Sequence, residues 1–483
     1  MAETSSPGNP SFTLADDGAA SARLIPLAPA VEVRSPRSGR AVAEPGCYET
    51  ARGFFIFAAA TIIAGAPYFL AQTSHSNFLI YFAAALALGG LLAPAIVARR
   101  LTSKSPATVM FGERWCTFAV FVAFLAFYAV TMFEPSPYNE QVRQAVAFIH
   151  GHTYIDAPNS FLEHAQIGPY SYALHPPLPA IMLMPFTAIW GMNTNQTEFS
   201  VVVGALDIAL AWVLLGRLAR GIDVRVWLTL FFGLGSVIWY ETVVGTTWAL
   251  PMNTSLIFTL LALIELFGQA RPFWVGSWAA LATLGRYDLA LAAPIYAILL
   301  LAKGRGIAEI FEMAIGYLAV GVIFVGLNEA RFNSFFDQGV LLTGPRNAPV
   351  FALRYLPGNL YTVLFMAPTV NGTFPYIHPV FSGQALTLTS PAFVLALRPS
   401  FKRLTVSMMG LAAVLVSIPS LVCYANGFAQ FGTRHYIPAF PFLLVMMAIG
   451  MPRRTDQLSR ILIVVSIFLV AFGVWHVRMW GFG

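Results

Sequence analysis

Residues 133–179 read FEPSPYNEQVRQAVAFIHGHTYIDAPNSFLEHAQIGPYSYALHPPLP, the longest polar interval in a chain that otherwise consists of apolar runs. Apolar runs of membrane-spanning length precede and follow this segment. A hydrophobic protein that keeps so polar a segment between such runs is expected to carry out its function there. The ionisable residues of the segment are Glu134, Glu140, Arg143, His150, His152, Asp156, Glu163, His164 and His175.

The composition of the whole chain predicts an all-α polytopic membrane protein. Of 483 residues, 57% are hydrophobic and only 10% are charged, whereas about 25% of the residues of soluble domains are charged. The net charge of +6 comes from residues dispersed among the loops at helix ends. We therefore expect no nucleic-acid partner and a surface in contact with membrane lipid.

Apolar runs predict about 11–13 transmembrane helices, since each membrane crossing needs roughly 20 residues. The stretch HPPLPAIMLMPFTAIWGMN (175–193) is instead predicted to be an interfacial helix, because its prolines and Trp190 suit the membrane surface. The predicted spans lie near residues 54–72, 78–97, 115–133, 199–217, 225–242, 247–267, 273–285, 288–302, 313–328, 385–397, 404–424, 435–451 and 460–479.

The distribution of positive charge predicts the orientation of the chain. With 175–193 at the surface, short loops such as KGRG (303–306) and RPSFKR (398–403) face the cytoplasm, as the positive-inside rule requires. The N-terminus is then cytoplasmic, and residues 1–52, rich in Ser, Pro, Ala and Gly, are expected to form a disordered tail. Loops 133–198 and 329–384 fall on the outer side. So do seven arginines, each of which needs a specific reason to be there: Arg143, Arg286, Arg331, Arg346, Arg354, Arg434 and Arg478.

The stretch EPSPYNEQVR (134–143) is the first candidate site. Helical spacing from Tyr138 onward would place Asn139 and Arg143 one turn apart. A partly desolvated carboxylate, Glu134 or Glu140, could act as a general base. The alternative is that both are solvated loop acids or charges that favour a helix N-terminus.

The histidines form the second candidate site. His150 and His152 would suit a metal ion only with a third ligand, and none follows nearby, so we expect polar loop histidines and no metal. His175 differs because Pro176 and Pro177 fix the backbone beside it and direct it toward the loop.

Arginines interleaved with aromatic residues form the third candidate site, in residues 328–365. Arg331 and Arg346 could bind phosphate, as could Arg434 before a later span, because the guanidinium matches phosphate geometry. The alternative is that these side chains only reach the lipid headgroups. Arg286 is expected to pair with Asp288 or with nearby polar groups at a tight turn between helices.

The order of these features resembles that of the GT-C glycosyltransferases, polytopic enzymes that use polyprenyl-phosphate sugars. The resemblance covers residues 111–483, with 53–110 as an added N-terminal transmembrane hairpin. It rests on an acidic motif after a span and on a Pro-rich HPPLP element similar to one in protein O-mannosyltransferases, with a Pro-Pro-Leu relative in aminoarabinose and rhizobial sugar transferases. One departure is Asn139-Glu140, where the family usually has Asp-Glu. The matching segments are YNEQVRQAVAFIHG, HPPLP, LATLGRYDLALAAP, LNEARFNSFFDQG, LTSPAFVLAL and FGTRHYIPAFPFLLVMMA.

The resemblance implies a GT-C-like bundle whose outer-side loops carry interfacial helices. It implies inverting transfer of a sugar from a polyprenyl-phosphate donor to a hydroxyl of a glycan, lipid or protein acceptor, at the outer face of a bacterial inner membrane and without a cofactor. Glu140 or Glu134 would be the base. A flippase for a lipid-linked sugar and a non-catalytic assembly factor are the alternatives. The residues expected to bind substrate are Tyr138, Asn139, Arg143, His175, Arg331, Arg346 and Arg434.

Overall fold

The structure, a computed structural model, is mostly helical over the residues it describes, which are 47–71, 78–97, 106–156, 163–335, 348–425 and 427–482. Its α-helices are α1 (Cys47–Ala71), α2 (Phe78–Val97), α3 (Pro106–Thr131), α4 (Glu140–Ile149), α5 (Leu178–Trp190), α6 (Gln196–Leu218), α7 (Ile222–Leu234), α8 (Ile238–Val244), α9 (Leu250–Leu266), α10 (Pro272–Gly285), α11 (Ala293–Ala302), α12 (Ile307–Phe332), α13 (Leu356–Phe365), α14 (Leu386–Thr389), α15 (Leu404–Leu421), α16 (Phe440–Gly450) and α17 (Gln457–Trp480). Short 3-10 helices cover Gly191–Asn193, Tyr287–Ala292, Leu353–Tyr355, Pro391–Leu397 and Arg434–Ala439.

Long apolar helices make this a multi-pass membrane protein. Within the described ranges, six helices are long and apolar enough to cross a membrane, or up to seven if the pair α7 and α8, bent by 47°, forms one broken span. Four other predicted spans form helices of 17 residues or fewer, which are α9, α10, α11 and α16. Helix length alone therefore supports fewer spans than the sequence predicts. Proline contributes to this, because α9, α10 and α11 each have one in their first turn, where a helix readily begins.

The structure describes only part of the N-terminal tail and hairpin that the sequence predicts. Of the predicted tail, residues 1–46 lie outside the described residues, and residues 47–52 belong to α1. Helices α1 and α2 cover the predicted hairpin, and α1 packs against α3.

Both polar intervals contain a small antiparallel hairpin that the all-α prediction did not include. Strands β1 (His164–Ile167) and β2 (Tyr170–Ala173) pair with His164 opposite Ala173. Gly168, at φ 58°, makes the turn between them, a conformation that glycine adopts readily. Strands β3 (Thr369–Val370) and β4 (Ile377–His378) form the second hairpin.

The long helices separate two ends of the bundle. From Glu113 to Thr131, α3 rises about 27 Å at 1.5 Å per residue. We call the end reached by Thr131, which carries the segment 133–179, the polar face. We call the end at Glu113 the ion-pair face. A continuous apolar core fills the bundle between them, with fully buried Phe124, Trp212 and Phe440 among its largest side chains.

Charged side chains at the ion-pair face hold helices to one another. The buried Arg225 of α7 donates from both terminal nitrogens to Glu113 of α3, each at 3.0 Å, and from Nε to the Trp212 carbonyl at 2.9 Å. Asp456, the N-cap of α17, accepts from Arg398 at 2.6 and 3.2 Å. These contacts link α3, α6, α7 and α17 to their neighbours.

Candidate functional site

Helix α4 brings the acidic motif into the interior at the polar face. Pro135 and Pro137 disfavour a helix before it, so α4 begins at Glu140, after Asn139 as its N-cap. The carbonyl of Tyr138 accepts hydrogen bonds from the Thr247 amide at 3.1 Å and from Gln196 Nε2 at 3.2 Å. These bonds fix the chain where it enters α4, and the Glu140 side chain is fully buried.

Glu140 faces His175, which lies between β2 and α5. Glu140 Oε2 is 3.0 Å from His175 Nε2. Burial lowers the pKa of His175, but the charge of Glu140, its hydrogen bond to His175 and the charge of Glu163 together outweigh burial, and the net effect raises that pKa. An imidazolium beside a buried carboxylate therefore forms at neutral pH more readily than for a free histidine. Oε1 of Glu140 has no hydrogen-bond partner among the described residues.

Trp248, between α8 and α9, lies at the centre of the site. Its ring centroid is 4.9 Å from the ring centroid of Tyr138 and 6.4 Å from that of His175. The guanidinium carbon of Arg434 lies 6.0 Å from the Trp248 ring. One indole thus contacts the acidic motif, the histidine and an arginine that are far apart in sequence.

Arg434 supplies a buried cation to this site. It is 6% exposed, and its Nη1 donates to the Phe428 carbonyl at 3.2 Å. Its Nε has no hydrogen-bond partner within the described part of the chain. Its charge opposes protonation of His175, so it lies close enough to act on the Glu140–His175 pair.

A second buried carboxylate lies near Arg434. Glu241 of α8 is 2% exposed, and its Oε1 has no hydrogen-bond partner in the described residues. Arg434 is the charged side chain that interacts with it electrostatically. The site therefore contains two carboxylates, Glu140 and Glu241, each close to a cationic side chain.

Two glutamines of α4 extend the polar interior. Gln141 and Gln144 are both fully buried, and no amide atom of either has a hydrogen-bond partner among the described residues. Leaving a buried polar group unpaired costs about 1–3 kcal/mol. Such a cost is unusual for side chains with no role other than packing.

Glu134, the other predicted base, lies in a different place. It is exposed and lines a cleft of about 370 Å³, together with Tyr138, Thr246 and Arg478. Tyr138 borders both the cleft and the Trp248 ring. The cleft therefore adjoins the buried site, and the structure separates the two carboxylates that the sequence left as alternatives.

The predicted turn between Asn139 and Arg143 is present. Arg143 Nε donates to Asn139 Oδ1 at 3.2 Å, and Nη1 donates to the Asp156 carbonyl at 3.3 Å. This arginine therefore ties the start of α4 to the loop that follows it.

The remaining arginines differ in their surroundings. Arg331 of α12 is 3% exposed and donates to the Leu327 carbonyl, the Ala173 carbonyl and Asn328 Oδ1. Ala173 precedes His175 by two residues, so Arg331 holds the strand that leads to the site. Arg346 lies outside the described residues. The predicted pair of Arg286 and Asp288 is confirmed at 2.5 Å.

The histidines of the HxH motif form a stacked group. His152 lies between His150 and Tyr154, with ring centroids 6.4 and 4.1 Å away. The Nδ1 atoms of His150 and His152 contact backbone carbonyls at 2.8 and 2.9 Å. Across the described ranges, no three His, Cys, Asp or Glu side chains are close enough together to hold a metal ion.

Sequence reasoning missed Trp248 and Glu241. Both lie within or beside runs that were assigned only as membrane spans. A signal was present for each: the polar GTTW interrupts the apolar run before α9, and a carboxylate inside the run WYETVV is costly unless it has a role.

Comparisons of the chain with protein-family models, with curated proteins and with solved structures find no match.

Proposed function

We propose that this protein is an inverting GT-C-type glycosyltransferase that moves a sugar from a polyprenyl-phosphate donor to an acceptor hydroxyl. The observation that carries the proposal is the buried contact of 3.0 Å between Glu140 and His175, with the buried Arg434 nearby. A base, a group that orients it and a cation for phosphate are the components that this transfer requires.

Glu140 is the proposed base. His175 contacts Oε2 and fixes the carboxylate, which leaves Oε1 to accept the proton of the acceptor hydroxyl. As the acceptor oxygen bonds to the anomeric carbon, the bond from that carbon to the phosphate oxygen breaks. The electron pair leaves with the phosphate, so polyprenyl phosphate is released and a single displacement inverts the anomeric configuration.

Arg434 is the proposed phosphate ligand. Its Nε lacks a hydrogen-bond partner within the described residues, and a guanidinium can donate two parallel hydrogen bonds to a phosphate. Charge develops on the phosphate as the glycosidic bond breaks, so a cation fixed in a buried position stabilises the transition state. Arg331 has a different proposed role, because its donors already hold β2 and α12.

The proposed setting is a bacterial inner membrane with the N-terminus in the cytoplasm. The polar face would then lie on the outer side, where the cleft lined by Glu134 gives an acceptor access to Tyr138 and the buried site. We further propose that the shorter apolar helices cross the membrane alongside the long ones, which gives a bundle of about 11–13 spans.

The test is a transfer assay with purified protein in lipid nanodiscs. Polyprenyl phosphates carrying different labelled sugars are offered together with a membrane extract that supplies acceptors. We expect one donor to yield labelled acceptor and free polyprenyl phosphate, with an inverted anomeric configuration by NMR. Transfer that proceeds equally well with Glu140→Gln would refute the assigned base.

A flippase for lipid-linked sugars is the second candidate. Two observations favour it: the 47° bend between α7 and α8, and Asp207, fully buried within α6 with no hydrogen-bond partner for its carboxylate among the described residues. Broken helices and intramembrane carboxylates are features of transporters. Movement of intact donor across sealed vesicles, without consumption of any donor, would favour this function.

A further inference from the structure

We propose that Gln141 and Gln144 bind the sugar of the donor through its hydroxyl groups and select a neutral sugar. This inference rests on the proposed glycosyl transfer. It assigns a substrate class to two residues for which the mechanism above has no use. Both residues are fully buried, and their amides have no hydrogen-bond partners among the described residues.

Their positions on α4 place Gln144 beside the proposed base and Gln141 beside Gln144. Gln144 lies one turn after Glu140, and Gln141 lies three residues before Gln144, so neighbouring side chains on this helix surface are about 5–6 Å apart. The three side chains are polar and buried, and all three lie in the first turns of one short helix. A sugar whose anomeric carbon lies near Glu140 would extend its ring hydroxyls along this row.

The chemistry of the amide matches that of a sugar hydroxyl. A glutamine side chain donates from nitrogen and accepts at oxygen, and a hydroxyl group does both. Two of the charged side chains at the site already have assigned roles, since Glu140 lies against His175 and Arg434 is the proposed phosphate ligand. The two residues that we assign to the sugar are uncharged amides, so we infer a neutral sugar.

The alternative is that Gln141 and Gln144 have a purely structural role. Gln196 is a buried glutamine with such a role, and it offers a comparison. Nε2 of Gln196, which is 3% exposed, donates to the Gly245 carbonyl at 2.9 Å and to the Tyr138 carbonyl at 3.2 Å. This fold therefore supplies acceptors to the nitrogen of a buried amide that holds two segments together, although Oε1 of Gln196 has no partner among the described residues. Within the same part of the chain neither amide atom of Gln141 or Gln144 has a partner, which distinguishes them from Gln196.

The experiment measures the part of donor affinity that depends on the sugar. Binding to nanodisc-embedded protein is compared for sugar-free polyprenyl phosphate and for polyprenyl phosphates carrying glucose, mannose, galactose, galacturonic acid or aminoarabinose. The variants are Gln141→Met and Gln144→Met, which preserve side-chain length and remove the amide. The matched control is Gln166→Met, because Gln166 is exposed on β1 and bonds within its own hairpin.

We expect wild-type protein to bind one neutral-sugar donor at least ~10-fold more tightly than sugar-free polyprenyl phosphate. Each α4 variant should lower this ratio by about 5- to 10-fold while binding sugar-free polyprenyl phosphate normally, since each loses hydrogen bonds to the ligand. The control should keep the wild-type ratio. A ratio unchanged in both α4 variants, or preference for a charged sugar, would overturn the inference.

Two further outcomes separate this inference from the proposed function. Wild-type protein that transfers sugar but binds donor and sugar-free polyprenyl phosphate equally well would overturn the inference and leave the transferase standing. Failure to bind either lipid would contradict the transferase itself. If the α4 variants do not fold, deoxy-sugar donors test wild-type protein directly, and indifference to the loss of every hydroxyl would overturn the inference.

Discussion

Buried charged side chains differ in their hydrogen bonding between the two faces of the bundle. At the ion-pair face, every donor nitrogen of the Arg225 side chain has a bonded partner, in Glu113 or the Trp212 carbonyl. At the polar face, Arg434 Nε and Glu140 Oε1 are equally buried and have no partner within the described residues.

This difference indicates what each face is for. Where a charge only holds helices together, the fold completes its hydrogen bonds, because an unpaired buried charge is expensive. Where charges are left incomplete, a ligand can supply the missing partners. We therefore expect substitutions at the ion-pair face to change stability, and substitutions of the incompletely bonded charges at the polar face to change binding and turnover.

The largest expected effect is that of Glu140→Gln on turnover. Removing the base should lower the rate of sugar transfer by about 10²–10⁴-fold, while the amide keeps a hydrogen bond to His175 and the protein stays folded. Steady-state transfer with labelled donor measures the loss. Glu134→Gln is the control, and we expect a loss below ~10-fold because Glu134 is exposed in the cleft. The reverse ranking would show that Glu134 is the base.

The next effect separates two buried arginines of the polar face. Arg434→Gln should weaken binding of polyprenyl phosphate by about 10–100-fold, as expected when a charge-assisted pair to phosphate is lost. Arg331→Gln should leave that affinity unchanged in the folded fraction and lower stability by about 2 kcal/mol, because it breaks hydrogen bonds to Leu327, Ala173 and Asn328. Titration in nanodiscs gives affinity and thermal unfolding gives stability. Equal losses of affinity would place both arginines at the phosphate.

A smaller effect is expected at the ion-pair face. Arg225→Gln should lower the stability of the folded protein by about 2 kcal/mol, because the bonds to Glu113 and to the Trp212 carbonyl are lost. Transfer per folded molecule should not change. Unfolding curves and active-site-normalised rates measure the two quantities. If Arg225→Gln changed turnover and left stability unchanged, the proposed division between a stabilising face and a functional face would be wrong.

The smallest effect is a difference in pH dependence. The pKa of His175 is raised in the folded protein, so its contribution is fully present below the unfolded pKa of about 6.5 and is lost as pH rises through the folded value. The stability difference between wild type and His175→Gln should therefore shrink between about pH 6 and pH 9.

The ion-pair face supplies the control for this measurement. Hydrogen bonds from Arg398 hold the pKa of Asp456 below its usual range, so its contribution is present above the unfolded value and is lost only as pH falls through the folded one. Arg398→Gln should lower stability by the same amount at about pH 6 and at about pH 9. The loss is modest because the side chains of Arg398 and Asp456 are both partly exposed. A parallel loss in both variants would show that the change is not specific to His175.

The membrane-protein class could be predicted because hydropathy is a local property of the sequence. The turn that joins Asn139 to Arg143 could also be predicted, since helical spacing fixes which neighbours meet. The contact between Glu140 and His175 could not, because it depends on how α4 and the strand β2 are placed by the helices beneath them. The prolines after His175 indicated a fixed loop, but they did not indicate that Glu140 is the partner of His175.

Other parts of the site escaped prediction for a physical reason. Trp248 and Glu241 lie in apolar runs, where hydropathy averages over the few polar groups that matter. Arg331 and Arg434 share the same sequence signature, an arginine beside aromatic residues at the end of a span. Only the hydrogen bonds of each guanidinium distinguish Arg331, which holds a strand, from Arg434, whose Nε has no partner within the described residues.

The most direct test compares Glu140→Gln and Arg225→Gln in a single experiment. Single-turnover sugar transfer is measured on both variants after each is normalised to its folded fraction by thermal unfolding. We expect Glu140→Gln to be folded and almost inactive, and Arg225→Gln to be less stable but to transfer sugar at the wild-type rate per folded molecule. Wild-type transfer by Glu140→Gln would show that this carboxylate is not the base.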